Sequence, residues 1–149
     1  MADGTSPAHP DPARAARLRV LALAAPAELE AALARLPVPP AYEHLRKPEI
    51  GLALVRARAG GTGQRFNLGE ATLTRCSVRL SDGRIGHGHV LGRDKRQAEL
   101  VAVLDAVLQG DTATDLLAPL AAAHAARRRV VVAKAASTKV EFFTVARES

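Results

Sequence analysis

The chain has 149 residues, 48% of them hydrophobic, so it fits one domain that can bury roughly two-thirds of its unfolded surface. Aromatics make up only 3%, with no Trp and one Tyr, so the core must come from Ala, Leu and Val, and a partner's surface is expected to help complete it. The net charge of +6 suits anionic partners, one cysteine excludes an internal disulfide and a Cys-rich metal site, and no apolar run approaches the roughly 20 residues of a membrane span.

Along the chain, residues 1–12 are expected to form a disordered tail. They hold three prolines and lack the basic start and apolar stretch of a signal peptide, which points to a cytoplasmic protein. Residues 13–149 are then one α+β domain. Leu18, Leu21 and Ala25 recur at helical spacing from Ala13 to Ala24. Pro26 opens a second helix as a first-turn proline, with Leu29, Leu33 and Leu36 as its apolar stripe. Pro37, Pro39 and Pro40 end it. Strands are expected at Tyr42 to Arg46 and Ile50 to Arg58, divided by Lys47-Pro48. Gly60-Gly61-Thr62-Gly63 makes a flexible connection, and Ala71 to Leu80 is the clearest strand. Asp82-Gly83 suits a type I′ hairpin turn into a return strand from Arg84 to Leu91, a central hairpin over about 71–91 of an antiparallel sheet. Asp94 then caps a helix, with Gln97 at capping-box spacing and one apolar face of Leu100, Val103, Leu104, Val107 and Leu108. A further helix from Asp115 to about Ala136 and a short strand from Val140 to Val145 complete the fold.

A two-residue hairpin loop pairs Leu80 with Ile85, Val78 with His87, Cys76 with His89 and Thr74 with Leu91, all on one face. The other face carries Arg75, Ser77 and Arg79, opposite Gly88 and Gly86. Two arginines four residues apart on a strand stand roughly 13 Å apart and can fork hydrogen bonds to phosphate or carboxylate oxygens. A ligand's anion, a partner's acidic side chains and plain solvent all fit that face. Cys76, His87 and His89 would share the opposite face. Their apolar neighbours make it a core rather than a metal site, so no metal is expected.

Two other segments bear on anion binding. The run Gly60-Gly-Thr-Gly-Gln-Arg-Phe66 fits neither standard phosphate-loop template, yet backbone around Gly61 and Gly63, with Arg65, could form an anion nest or simply a connection. Arg93 sits where a strand meets a helix start, a place that favours anions unless Asp94 satisfies the free donors first. Glu99 and Asp105 stand as single carboxylates with no evident partner, so no catalytic residue is identified.

The order of these motifs is more informative than any one of them. Pro26-Ala-Glu-Leu, Tyr42-Glu, Gly60-Gly-Thr-Gly-Gln-Arg-Phe66 and Gly69-Glu-Ala-Thr-Leu-Thr-Arg75 come first. Val78-Arg-Leu-Ser-Asp-Gly83, Gly92-Arg-Asp-Lys95 with Ala98-Glu99, Asp105-Ala106, Ala118-Pro-Leu120 and Val140-Glu-Phe-Phe-Thr144 follow. In that order the chain resembles the PhnG family, the G subunit of the bacterial carbon–phosphorus lyase core complex, from about residue 15 to residue 147. The resemblance implies a part in phosphonate metabolism. There the G, H, I and L subunits support displacement of adenine from ATP by a phosphonate, giving a ribose 1-phosphonate 5-triphosphate. It also implies assembly with the H, I and J subunits, catalysis mainly outside this chain, and no cofactor of its own. Arg75, Ser77, Arg79, Gly61, Gly63, Arg65 and Arg93 are the candidates for meeting a partner or ligand.

Two other readings compete. The tightly joined N-terminal helices, with Arg14, Arg17, Arg19 and Arg35, could act as a helix-turn-helix on nucleic acid, although no nucleic-acid partner is expected. A stand-alone transferase binding nucleotide at the glycine run is the other.

Overall fold

A computed structural model describes residues 11–110 and 114–138. Helix α1 (Pro12–Leu23) begins one residue earlier than expected, because Asp11 Oδ1 accepts from the Ala13 N–H at 3.0 Å and proline tolerates the first turn. Helix α2 (Pro26–Ala34) also starts on proline, and Glu28 Oε2 accepts from the Ala25 N–H at 2.9 Å. Strands β1 (Tyr42–Arg58), β2 (Arg65–Leu80) and β3 (Ile85–Leu91) form an antiparallel sheet in the order β1-β2-β3. Helix α3 (Lys95–Val107), a 3-10 turn at Thr114–Leu116 and helix α4 (Leu117–Ser137) follow. This is the expected α+β arrangement. The strand expected at Val140 to Val145 lies outside the described residues.

The first strand differs from expectation. Lys47-Pro48 does not divide it; the register only shifts between His44 and Arg46 and again between Arg46 and Glu49. β1 is an edge strand, where a missing N–H costs no ladder bond and a bulge is tolerated. β2 begins at Arg65 rather than Ala71, so β1 and β2 run together far beyond the end of β3, which pairs only with Leu73 to Arg79.

The hairpin register is the main correction. Leu80 N–H donates to Arg84 O at 2.9 Å, which leaves a three-residue loop, Ser81 to Gly83, with Gly83 at φ +91°. Asp82 Oδ1 accepts from the Arg84 N–H at 3.0 Å and holds that longer loop, one of the standard hairpin forms. Pairs are therefore Val78 with Gly86, Ser77 with His87, Cys76 with Gly88 and Arg75 with His89. A slip of one residue turns every β3 side chain to the other face. Gly86, Gly88 and Val90 face the core; Ile85, His87, His89 and Leu91 face outward.

Those two glycines let α3 lie on the sheet. A Cβ at Gly88 would stand 2.0 Å from Ala98 O, and one at Gly86 would stand 1.9 Å from Ala102 O. Ala98, Ala102 and Ala106, four residues apart on the helix, present the matching small surface. Asp94 caps α3 as expected, accepting from the Gln97 N–H at 2.9 Å. Gln97 does not complete the box; its amide donates to Ala24 O at 2.8 Å and ties α3 to the end of α1. With the sheet on one side and α1 and α2 on the other, every residue from Leu100 to Leu108 is buried, not the single face that periodicity predicts. The buried Leu21, Leu29, Val78 and Leu80 close the core around it. α4 packs on α1 near its start, where Leu120 is buried and Arg127 donates to Leu23 O at 3.1 Å; from Ala125 onward its residues are exposed.

Candidate functional site

No described element covers the outer face of the sheet. Arg75, Ser77 and Arg79 stand there together, as period-two alternation requires, but each already has a partner. Glu49 Oε1 accepts from Arg75 Nε at 2.6 Å and from Arg46 at 2.6 Å, and the two guanidiniums hold its carboxyl below the usual range. Arg79 Nε lies 3.2 Å from Glu43 Oε1. Ser77 Oγ is 2.9 Å from His87 Nδ1. Partial burial, with the neighbouring His87, Arg75 and Arg46, lowers the pKa of His89 and so favours its neutral ring. Because these arginines are shared with glutamates, the face is a zipped ion-pair surface, half exposed, rather than two free cations.

The other candidates do not join it. Gly61 and Gly63 lie in the turn that links β1 to β2. There Gly60 and Gly61 take φ +59° and +75°, and Gly63 N–H donates to Ala59 O at 2.8 Å. Arg65 pairs across from Arg58 beside that turn, and with Arg56 the two line a shallow cationic hollow. Ten strand residues, about 33 Å, separate Arg65 from Arg75. Arg93 is exposed in the link between β3 and α3. The seven residues thus occupy three places: the hairpin tip, the outer face and the start of α3.

Cys76, His87 and His89 are not gathered. Cys76 faces α3, fully buried, while both histidines face outward; the corrected register separates them. Burial, then the charge of Glu99, pushes the Cys76 thiol up to about 11, so it stays protonated and inert.

Neither carboxylate of α3 is single. Asp105, fully buried, accepts from Arg14 at 2.7 Å and from the His87 N–H at 3.0 Å. Glu99 Oε1 accepts from Tyr42 Oη at 3.0 Å and lies 2.8 Å from His44 Nε2, while Oε2 accepts from Arg96 at 3.0 Å. Burial works to raise the Glu99 carboxyl, but hydrogen bonds from Arg96, Tyr42 and His44 outweigh it and hold it low. Arg96 reaches on to Glu30 at 3.2 Å. This cluster locks the start of β1 to α3 and α2. Its residues lie 57 positions apart in the case of Tyr42 and Glu99, which no local spacing reveals.

The described surface has one more feature. β1 beyond Glu49 alternates Ile50, Leu52 and Leu54 onto the face that α3 covers further along, yet here no helix among the described residues lies over them. Leu52 is 65% exposed, Leu54 60% and Leu68, at the bulge opposite Val55 and Arg56, 64%.

Fold and surface together define a small α+β protein with a projecting two-stranded arm and a helix-filled core. The chain belongs to the family of the phosphonate metabolism protein PhnG, whose model matches residues 12–148. It is similar to the alpha-D-ribose 1-methylphosphonate 5-triphosphate synthase subunit PhnG of Rhizobium meliloti (strain 1021), 42% identical over 134 residues that cover 87% of this chain and 86% of that one.

Proposed function

We propose that this chain is a subunit of the enzyme complex that makes alpha-D-ribose 1-methylphosphonate 5-triphosphate. In that reaction a phosphonate oxygen bonds to C1′ of the ATP ribose, the bond from C1′ to adenine breaks, and adenine leaves while the 5′-triphosphate is kept. The identity to the named synthase subunit over nearly the full length of both chains carries this reading. The contribution of the chain is assembly. In support, Arg75 and Arg79 are engaged with Glu49 and Glu43, Cys76 is buried and protonated, and the arm offers uncovered apolar side chains. The partners implied are the H, I and J subunits, with a functional link to L, in the cytoplasm; the complex acts on ATP, and this chain needs no cofactor of its own. Arg75, Ser77 and Arg79 then serve as a contact face for a partner or a phosphorylated ligand.

Growth tests the reading directly. A bacterium lacking this gene, supplied with methylphosphonate as the only phosphorus source, should fail to grow and should recover when the gene is returned. Undiminished growth without it would remove the proposal.

A further inference from the structure

The arm formed by residues 49–58 and 65–72 is built as a surface for something else. Two-stranded ribbons are marginal in water without a layer to pack on, and here the helical layer of the described residues stops short. Ile50, Leu52 and Leu54 continue the row that further along β2 becomes Thr74, Cys76 and Val78 beneath α3. Across from them stand Thr74, Thr72 and Glu70, which are short or polar and leave the leucines standing proud. The reverse face is flat, with Gly51 and Ala53 opposite Leu73 and Ala71, and a Cβ at Gly51 would meet nothing within 4 Å. Contiguous exposed apolar groups of this kind mark interaction sites.

Charge selects the occupant. Arg56, Arg58 and Arg65 ring the tip and make no ion pair among the described residues, while Glu70 is the one carboxylate between Ile50 and Thr72. A second copy would bring the same three arginines on a chain of net charge +6, which opposes self-association through the arm. We infer that the arm inserts into an apolar groove, rimmed by carboxylates, on a different subunit of the synthase complex. The leucines fill the groove and the three arginines pair with its rim. This rests on the subunit reading given above and names the element that makes the contact.

The test uses the full chain and the H, I and J subunits, purified and mixed. Leu52→Ser/Leu54→Ser/Leu68→Ser changes only exposed side chains, so the free variant should keep the wild-type melting temperature while its affinity for the other subunits falls at least 10-fold. Arg56→Glu/Arg58→Glu/Arg65→Glu should weaken binding by a similar factor, and most at low salt. Leu54→p-benzoylphenylalanine should photo-crosslink to a segment of another subunit that contains both apolar and acidic residues. Unchanged affinity of both triple variants, or crosslinking to a second copy or to residues 139–149 of the same chain, would overturn the arm assignment and leave the subunit reading standing. Failure of the wild-type chain to bind the three subunits would sink the subunit reading, and the arm's partner with it.

Discussion

Asp105 accepts hydrogen bonds from Arg14, 91 residues earlier in the chain, and from the backbone of His87, and so ties α1, α3 and β3 at one buried point. The carboxylate has no solvent of its own, so its two donors stand in for water. Asp105→Ala leaves the partly buried His87 N–H without its acceptor and leaves Arg14 only the Ile85 carbonyl at 3.2 Å. The expected cost is about 3 kcal/mol, read from chemical denaturation. A loss below about 1 kcal/mol would mean that the buried pair does not hold these elements together.

The glycines of β3 predict a sharp contrast. Gly88→Ala drives a methyl into Ala98 O, a backbone atom that cannot step aside, so α3 must lift from the sheet. About 3 kcal/mol or more is expected, enough to unfold a marginal domain. Gly51→Ala, with open space around it, should change the melting temperature little. Equal tolerance at both sites would contradict the close packing of helix on sheet.

Stability should fall in acid partly through Glu99. Its folded pKa lies below the unfolded value near 4.5, so the carboxylate stabilises the fold above that pH. The contribution is lost as pH falls below 4.5 through the depressed folded value. Glu99→Gln should therefore flatten the fall of melting temperature over that interval and lower the plateau at pH 7. A variant whose curve parallels the wild type would show that Glu99 is not the titrating group.

Cys76 should be silent toward thiol reagents in the folded protein. With its pKa pushed to about 11 by burial, almost none is thiolate at pH 8, and the sulfur faces α3. Labelling with a chromogenic disulfide should be slow at pH 8 and complete at once in denaturant. Rapid labelling of the native chain would contradict the burial of Cys76 beneath α3.

Arg75→Ala with Arg79→Ala leaves Glu43 without its ion pair and Glu49 with Arg46 alone, on an exposed face where ion pairs contribute little to stability. The double variant should fold normally yet co-purify less with the I subunit. Normal assembly and normal growth on phosphonate would assign the face to solubility alone.

Much of this was legible in the sequence, and the failures have physical causes. Asp94 and Pro26 announce their helices because capping is local chemistry. Asp82-Gly83 announces a turn, but dipeptide preference does not separate a two-residue loop from one that borrows Ser81, and that single residue inverts β3. The small residues at Gly86 and Gly88, matched by Ala98, Ala102 and Ala106, were the available signal, since such rows suit close packing better than a solvent face. Pro48 misled because proline breaks central strands, whereas β1 lies at an edge. The contacts of Glu99 and Asp105 depend on tertiary folding and leave no trace in spacing.

Adenine release tests the central claim most directly. The H, I and L subunits, purified and given ATP with methylphosphonate, should release adenine and form the ribose 1-phosphonate 5-triphosphate in equal amount only when this chain is added. The chain alone should release none. Equal release by the mixture lacking it, or release by the isolated chain, would contradict the account.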